Sequence, residues 1–171
     1  MTASNRTRVG AGSGRGRTPP DLFDWLNRRF QFDYDAFASH ENALRDLHST
    51  TEGTFCASGW ADADRTIRGQ LFVSELTGLE YDWSDLHVYM NPPYSRGLIN
   101  DCVRKAWSER NKAAIIVALL PAATETHWFQ DYILPWCHID WLPKRIEFID
   151  PVTLPSGMVI ATFKDDLRDF S

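Results

Sequence analysis

Two consecutive prolines, Pro92 and Pro93, constrain this chain more than any other feature, because neither a helix interior nor a central strand can continue through them. They separate two well-patterned segments. Before them, His87-Val88-Tyr89-Met90 is a short apolar run of β type; after them, Leu98, Ile99, Cys102, Val103, Ala106 and Trp107 recur at helical spacing. The chain therefore reads strand, rigid loop, helix, with Ser95 as a candidate cap of the helix. Ligands of open α/β sheets bind at the carboxyl ends of strands, which is where this loop sits.

The loop itself is Asn91-Pro92-Pro93-Tyr94. Prolines hold φ near about −65° and contribute no N–H, so the loop is stiff and its carbonyls are not committed to neighbouring donors. The Asn91 side-chain oxygen and the Pro92 carbonyl are two acceptors suited to the protons of a conjugated amino nitrogen, which they would draw toward tetrahedral geometry. Tyr94 offers a face on which a planar base can stack. Asn and Pro are also ordinary turn residues, and a plain turn is the competing explanation.

Other segments point to an α/β architecture. Ala113 to Leu120 is a continuous apolar run of strand length ending at Pro121, as in a buried parallel strand. Thr18 as cap, Pro19 at the first helical position and Asp21 in the first turn predict a helix whose inward stripe is Leu22, Trp25, Leu26 and Phe30. Phe30 to Ala36 alternates apolar and polar residues like a strand, with Asp33 and Asp35 leaving one face and Asp35 at its end. Ala38-Ser39-His40 opens a further helical pattern, with Ser39 as its cap. From Thr124 a helix carries Trp128, Phe129, Tyr132 and Ile133 at helical intervals, a spacing typical of core aromatics; the nearby His127 reads as structural. Strands are expected over 138–142, 146–149 and 158–163, the last two joined by 151–157 as a terminal hairpin. Residues 49–70 show no clean period and read as a surface excursion, a lid, or an insertion offering Arg65 and Arg68 to a partner.

Six motifs in order carry a resemblance: Thr18-Pro19-Pro20; Phe32 to Ala38; Gly78-Leu79 with Asp82-Trp83; Asn91 to Ser95; Leu120-Pro121-Ala122 with Thr126 to Phe129; and Arg145 to Phe148. Together they resemble the phage-type Dam family of DNA N6-adenine methyltransferases over about residues 18 to 163. The resemblance implies a Rossmann-like class I methyltransferase sheet, mostly parallel with a C-terminal antiparallel hairpin and helices on both faces. It implies S-adenosylmethionine as methyl donor and an adenine of double-stranded DNA as acceptor. Catalysis would fall to Asn91, Pro92, Pro93 and Tyr94; the donor would be held by Thr18, Pro19, Asp35, Ala36, Ala38, Asp82, Trp83 and Asn91; DNA would meet Ser95, Arg96, Trp128, Lys144 and Arg145. Many methyltransferases carry a glycine-rich turn after the first strand. This chain has no glycine between Asp35 and His40, a departure from that pattern.

Composition bears on what remains. A chain of 171 residues with 43% hydrophobic residues and seven Trp is enough for one domain, expected over 18–171 behind a disordered, Gly-rich basic arm at 1–17. That arm holds Arg6, Arg8, Arg15 and Arg17 and no acid, while the net charge is −5, so the body is acidic and phosphate contact should be local. The Gly10 to Gly14 stretch is no cofactor loop, since no strand precedes it. Cys56, Cys102 and Cys137 are scattered and read as reduced thiols, and none follows a proline as a cytosine carbon-5 methyltransferase would need. His138-x-Asp140 lacks a third partner, so no metal is implied. Without an apolar run of about 18 residues or a secretory leader pattern, a cytoplasmic protein is expected, in the host cytoplasm if phage-encoded. The modest length favours relaxed DNA specificity. The same tetrapeptide also suits enzymes that methylate protein glutamine or RNA adenine, and a catalytically idle fold that binds DNA or protein is the remaining alternative.

Overall fold

Pro20–Phe30 form α1, the first helix of the computed structural model, which describes residues 18–37, 56–57, 73–74, 78–94, 97–148 and 157–163. Pro20 occupies the first helical position, where its missing N–H costs nothing, and Pro19 is the cap residue whose carbonyl accepts from Phe23 N–H at 3.1 Å. The helix thus starts one residue later than predicted, and Thr18 is not its cap. Its buried stripe is Phe23, Leu26 and Phe30. Trp25, expected inside, is 50% exposed, because a residue two positions from Phe23 lies on the far side of a helix of 3.6 residues per turn. Gln31 closes α1 in the left-handed region (φ 51°), and Asn27 ties the exit by accepting from Phe32 N–H at 2.9 Å.

That reversal shortens the next strand. β1 spans Tyr34–Asp35 only, so the expected alternation from Phe30 to Ala36 does not form and the two carboxylates do not share a strand face. Asp33 precedes the strand and accepts from His87 N–H at 3.0 Å, while Asp35 is buried within it. Two short strands, β2 (Cys56–Ala57) and β3 (Val73–Ser74), pair in parallel with each other; the rest of 49–70 lies outside the described residues.

β4 (His87–Met90), helix α2 (Leu98–Glu109), β5 (Ile115–Pro121), helix α3 (His127–Tyr132), β6 (Cys137–Trp141) and β7 (Met158–Phe163) complete the described elements. The main sheet runs β1-β4-β5-β7-β6. β1, β4 and β5 are mutually parallel; β7 is antiparallel to both of its neighbours. The antiparallel pair was expected at the carboxyl end, but its first member is β6: residues 146–148 form no strand. α3 likewise starts at His127 rather than Thr124, after Thr126 in extended conformation.

Period-two alternation explains how one apolar strand serves two layers. Ile115, Val117 and Leu119 of β5 join Tyr89, Met158 and Ile160 against α1, whereas Ile116, Ala118 and Leu120 join Val88, Met90, Val159, Ala161 and Phe163 against α2 and α3. A sheet covered on both faces needs no polar alternation, so β5 is buried along its whole length. Trp128, Phe129 and Ile133 fill the second layer, as their spacing predicted.

Near the end of α2, Glu109 is buried and its carboxylate accepts from Lys105 Nζ at 2.9 Å and Lys112 Nζ at 3.2 Å. Burial pushes its carboxyl up, but the hydrogen bonds and charges of the two ammonium groups outweigh this and hold it below the usual carboxylate value. A depressed folded-state pKa contributes stability that is present above the unfolded value of about 4.5 and is lost as pH falls through the folded one. Glu109→Gln should therefore cost about 1–2 kcal/mol at neutral pH. Urea unfolding at several pH values checks this: the gap to wild type should close below about pH 4.

Candidate active site

The parallel strands β1, β4 and β5 bring their carboxyl ends to one edge of the sheet, and Asn91 to Tyr94 leave β4 there. Pro92 and Pro93 are buried, and Asn91 and Tyr94 are half-buried. The Asn91 amide nitrogen donates to Thr18 Oγ1 at 3.1 Å. Thr18, only 2% exposed, is also 2.6 Å from the Tyr89 hydroxyl. On the other side of the amide, the Tyr94 hydroxyl donates to Asn91 Oδ1 and lies 3.3 Å from the Leu119 carbonyl of β5. The side chain that sequence chemistry singled out is thus held at both ends of its amide, with Oδ1 on the Tyr94 side.

Burial pushes the Tyr94 phenol well above its ordinary value, and the neighbouring Tyr89 adds to the shift. The hydroxyl therefore stays protonated through the working pH range and is a donor, not a base. Its proton has two acceptors within reach, Asn91 Oδ1 and the Leu119 carbonyl, so an amino group bonding to Oδ1 can displace it toward Leu119 without orphaning it. The Tyr94 ring meets Phe148 edge-on at 6.2 Å between centroids. Leu142, Ile146 and Phe148 pack beside the α1 layer, which carries Lys144 and Arg145 past this side of the sheet as exposed cations.

At the carboxyl end of β1, Asp35 is 6% exposed and Ala36 N–H donates to the Tyr89 carbonyl at 3.0 Å. Gly78 sits directly on this turn. A Cβ added there would lie 2.0 Å from the Ala36 oxygen and 2.9 Å from the Phe37 ring, so only glycine permits the approach. Asp35 and the Ala36–Phe37 backbone thus present a buried carboxylate and peptide groups at the same edge as Asn91. Ala38, Ser95 and Arg96, named with them from the sequence, lie outside the described residues, as does the arm at 1–17.

Two other sequence candidates sit differently. Asp82 turns its carboxylate onto its own turn, accepting from Ser84 Oγ at 2.7 Å and Ser84 N–H at 3.2 Å; those two bonds lower its pKa. Trp83 is fully buried in the layer that faces α2, with Phe37 edge-on at 6.3 Å and Lys105 over its ring. Trp128 is 7% exposed, which leaves little of its ring for a duplex. His127 opens α3 with its side chain exposed. Among the described residues no group of three or more His, Cys, Asp or Glu is arranged to hold a metal ion, and no helix is long and apolar enough to cross a membrane. Sequence reasoning missed Tyr89, which read only as an apolar strand residue; its hydroxyl was the available signal, since a core position needs none.

Comparison with known proteins bears on this edge. A family described as DNA N-6-adenine-methyltransferase (Dam) matches residues 53–155, a span that includes Gly78 and Asn91 to Tyr94 but not Thr18 or Asp35. A protein described as DNA N-6-adenine-methyltransferase, from Escherichia phage T1, is 29% identical over 126 residues, covering 73% of this chain and 43% of that protein. The chain therefore spans less than half the length of that relative.

Proposed function

Because the chain belongs to the DNA N-6-adenine-methyltransferase (Dam) family, we propose that it transfers a methyl group from S-adenosylmethionine to the exocyclic amino group of an adenine in double-stranded DNA. The observation that carries this reading is Asn91, clasped between Thr18 and Tyr94 at the carboxyl edge of the sheet with Oδ1 on the Tyr94 side. The parallel core with an antiparallel β7 between β5 and β6, covered by helices on both faces, supports a Rossmann-like class I methyltransferase fold.

The adenine is extruded from the duplex, since its amino group is otherwise paired. Asn91 Oδ1 and the Pro92 carbonyl accept its two amino protons, which localises the lone pair on nitrogen and points it along one line. Tyr94 offers its ring to the base and turns its hydroxyl to donate to the Leu119 carbonyl. The donor's residues fit its chemistry: Asp35 is a buried carboxylate able to accept from hydroxyl or ammonium groups, and Thr18 stands beside Asn91. When bound, S-adenosylmethionine supplies an electrophilic methyl group on its sulfonium. The methylated nitrogen then carries positive charge and is acidic enough to lose its proton without a dedicated base. Lys144 and Arg145 would meet phosphate locally, in keeping with a net charge of −5.

The test is incubation of the full chain with methyl-labelled S-adenosylmethionine and unmethylated duplex DNA, followed by digestion to nucleosides. Label should appear as N6-methyldeoxyadenosine. Measurable donor binding with label found only in protein or RNA would overturn the DNA reading. The role of Tyr94 has its own prediction: Tyr94→Ala should raise the KM for DNA by roughly tenfold to a hundredfold through lost stacking, and Tyr94→Phe far less. Because the phenol is held protonated, the alkaline limb of the rate profile should coincide in wild type and Tyr94→Phe up to about pH 10.

A further inference from the structure

Tyr89 is fully buried in the middle of the sheet, with β1 on one side and β5 on the other. Its ring is edge-on to Phe23 at 5.2 Å and tilted on Phe32 at 5.2 Å. Phenylalanine would satisfy this packing. A hydroxyl in such surroundings is costly to desolvate unless it is hydrogen-bonded, so its presence calls for a purpose beyond filling space. Its partner is the Thr18 hydroxyl at 2.6 Å, and Thr18 in turn receives the Asn91 amide nitrogen at 3.1 Å.

The geometry of a strand makes this arrangement specific. Tyr89 and Asn91 are two residues apart, near and just past the end of β4, and both bond the same hydroxyl of Thr18, the residue before the α1 cap, from more than seventy positions away in the chain. The phenol belongs to a ring that is fully buried against Phe23 and Phe32. Thr18 is therefore pinned to the core from below, and Asn91 is pinned to Thr18.

We propose that Tyr89 is a positioning residue for methyl transfer, acting through the Thr18 hydroxyl to hold the Asn91 amide with Oδ1 directed at the adenine amino group. This rests on the methyl-transfer reading, and it assigns Tyr89 no contact with substrate or donor. Losing the phenol leaves Thr18 free to turn, and the Asn91 amide then samples orientations in which its oxygen no longer meets the amino proton. Loss of that aim lowers turnover without weakening the binding of DNA.

Steady-state kinetics on duplex DNA test this with Tyr89→Phe, Asn91→Ala and the double variant, all in the full chain. Tyr89→Phe should lower kcat by roughly fivefold to tenfold, the size expected of one lost hydrogen bond, with KM for DNA changed less than twofold. In the Asn91→Ala background, read under single-turnover conditions, the same substitution should cost nothing further. Unchanged kcat in Tyr89→Phe, or an undiminished second loss in the double variant, would overturn the proposal and leave Tyr89 a packing residue. If the wild-type chain methylates no DNA, the functional reading fails on its own and the relay is decided by NMR. Slow solvent exchange of the Asn91 side-chain amide protons, accelerated in Tyr89→Phe, supports the relay; equal exchange in both proteins overturns it.

Discussion

In the proposed reaction, Asn91→Ala should lower kcat for methyl transfer to DNA by at least about a hundredfold while leaving the fold in place. Removing one preorganised group that meets developing charge typically costs about 10²–10³ in rate, and in the proposed mechanism the deleted oxygen also aligns the nucleophile. The structural cost is small by comparison. Asn91 is half-buried and lies beyond the strand end, and the side-chain bonds to Thr18 and from Tyr94 that it gives up are worth about 1–2 kcal/mol. The Tyr94 proton still has the Leu119 carbonyl, so no buried donor is stranded. Asn91→Asp should keep more activity than Asn91→Ala, since it retains an oxygen facing Tyr94 even though it loses the N–H given to Thr18. Rates per folded molecule, with unfolding curves alongside, check both expectations. Wild-type turnover in Asn91→Ala would remove Asn91 from the mechanism.

The largest effect on stability is expected at Gly78→Ala, in the same edge of the sheet. The added Cβ would fall 2.0 Å from the Ala36 oxygen and 2.8 Å from its carbonyl carbon, both backbone atoms, so no side-chain rotation can relieve the clash. Either the turn after β1 or the segment entering at Gly78 must move. Overpacking of this kind costs about 1–3 kcal/mol and more where backbone has to shift, and about 3 kcal/mol is the expectation. Because the displaced turn contains Ala36 and directly follows Asp35, both in the proposed donor site, affinity for S-adenosylmethionine should fall in the variant molecules that remain folded. Denaturant unfolding and titration calorimetry measure the two effects separately. An unfolding midpoint equal to wild type would show that the contact relaxes at no cost.

Certain segments were legible because one local rule decided them. Pro92 and Pro93 had to end a strand, and the helix pattern after them had to begin a new element; β4 and α2 bear this out. The unbroken apolar run before Pro121 was consistent with a strand buried on both faces, as β5 is. Phe30 to Ala36 misled because its alternation suits a strand, while Phe30 was already committed to the α1 stripe and Gln31 to the left-handed cap. Trp25 misled in a related way: large and apolar, it suggested the core, but the phase of the helix was set by Phe23, Leu26 and Phe30. Residues 146–148 resemble a strand in composition, yet β7 already pairs with β5 and β6, so both of its edges are taken.

The candidate site divides along the same line. Sequence by itself determined its chemistry: an amide, two prolines that bring no N–H of their own and an aromatic ring follow from Asn91 to Tyr94 whatever surrounds them, because residue identity and proline stereochemistry are local properties. It also determined which strand ends could carry a site. Only the tertiary structure decided how that chemistry is aimed. Thr18 read equally well as a helix cap, Tyr89 as an apolar strand residue, Gly78 as one member of a short motif and Leu119 as one apolar residue in a run. Their joint role depends on α1 laying Thr18 over β4, on β5 bringing a carbonyl to Tyr94, and on Gly78 closing against Ala36. Those are contacts between segments tens of residues apart, set by which faces pack together, and no local pattern in the chain encodes the distance between two side chains that only packing brings within 3 Å.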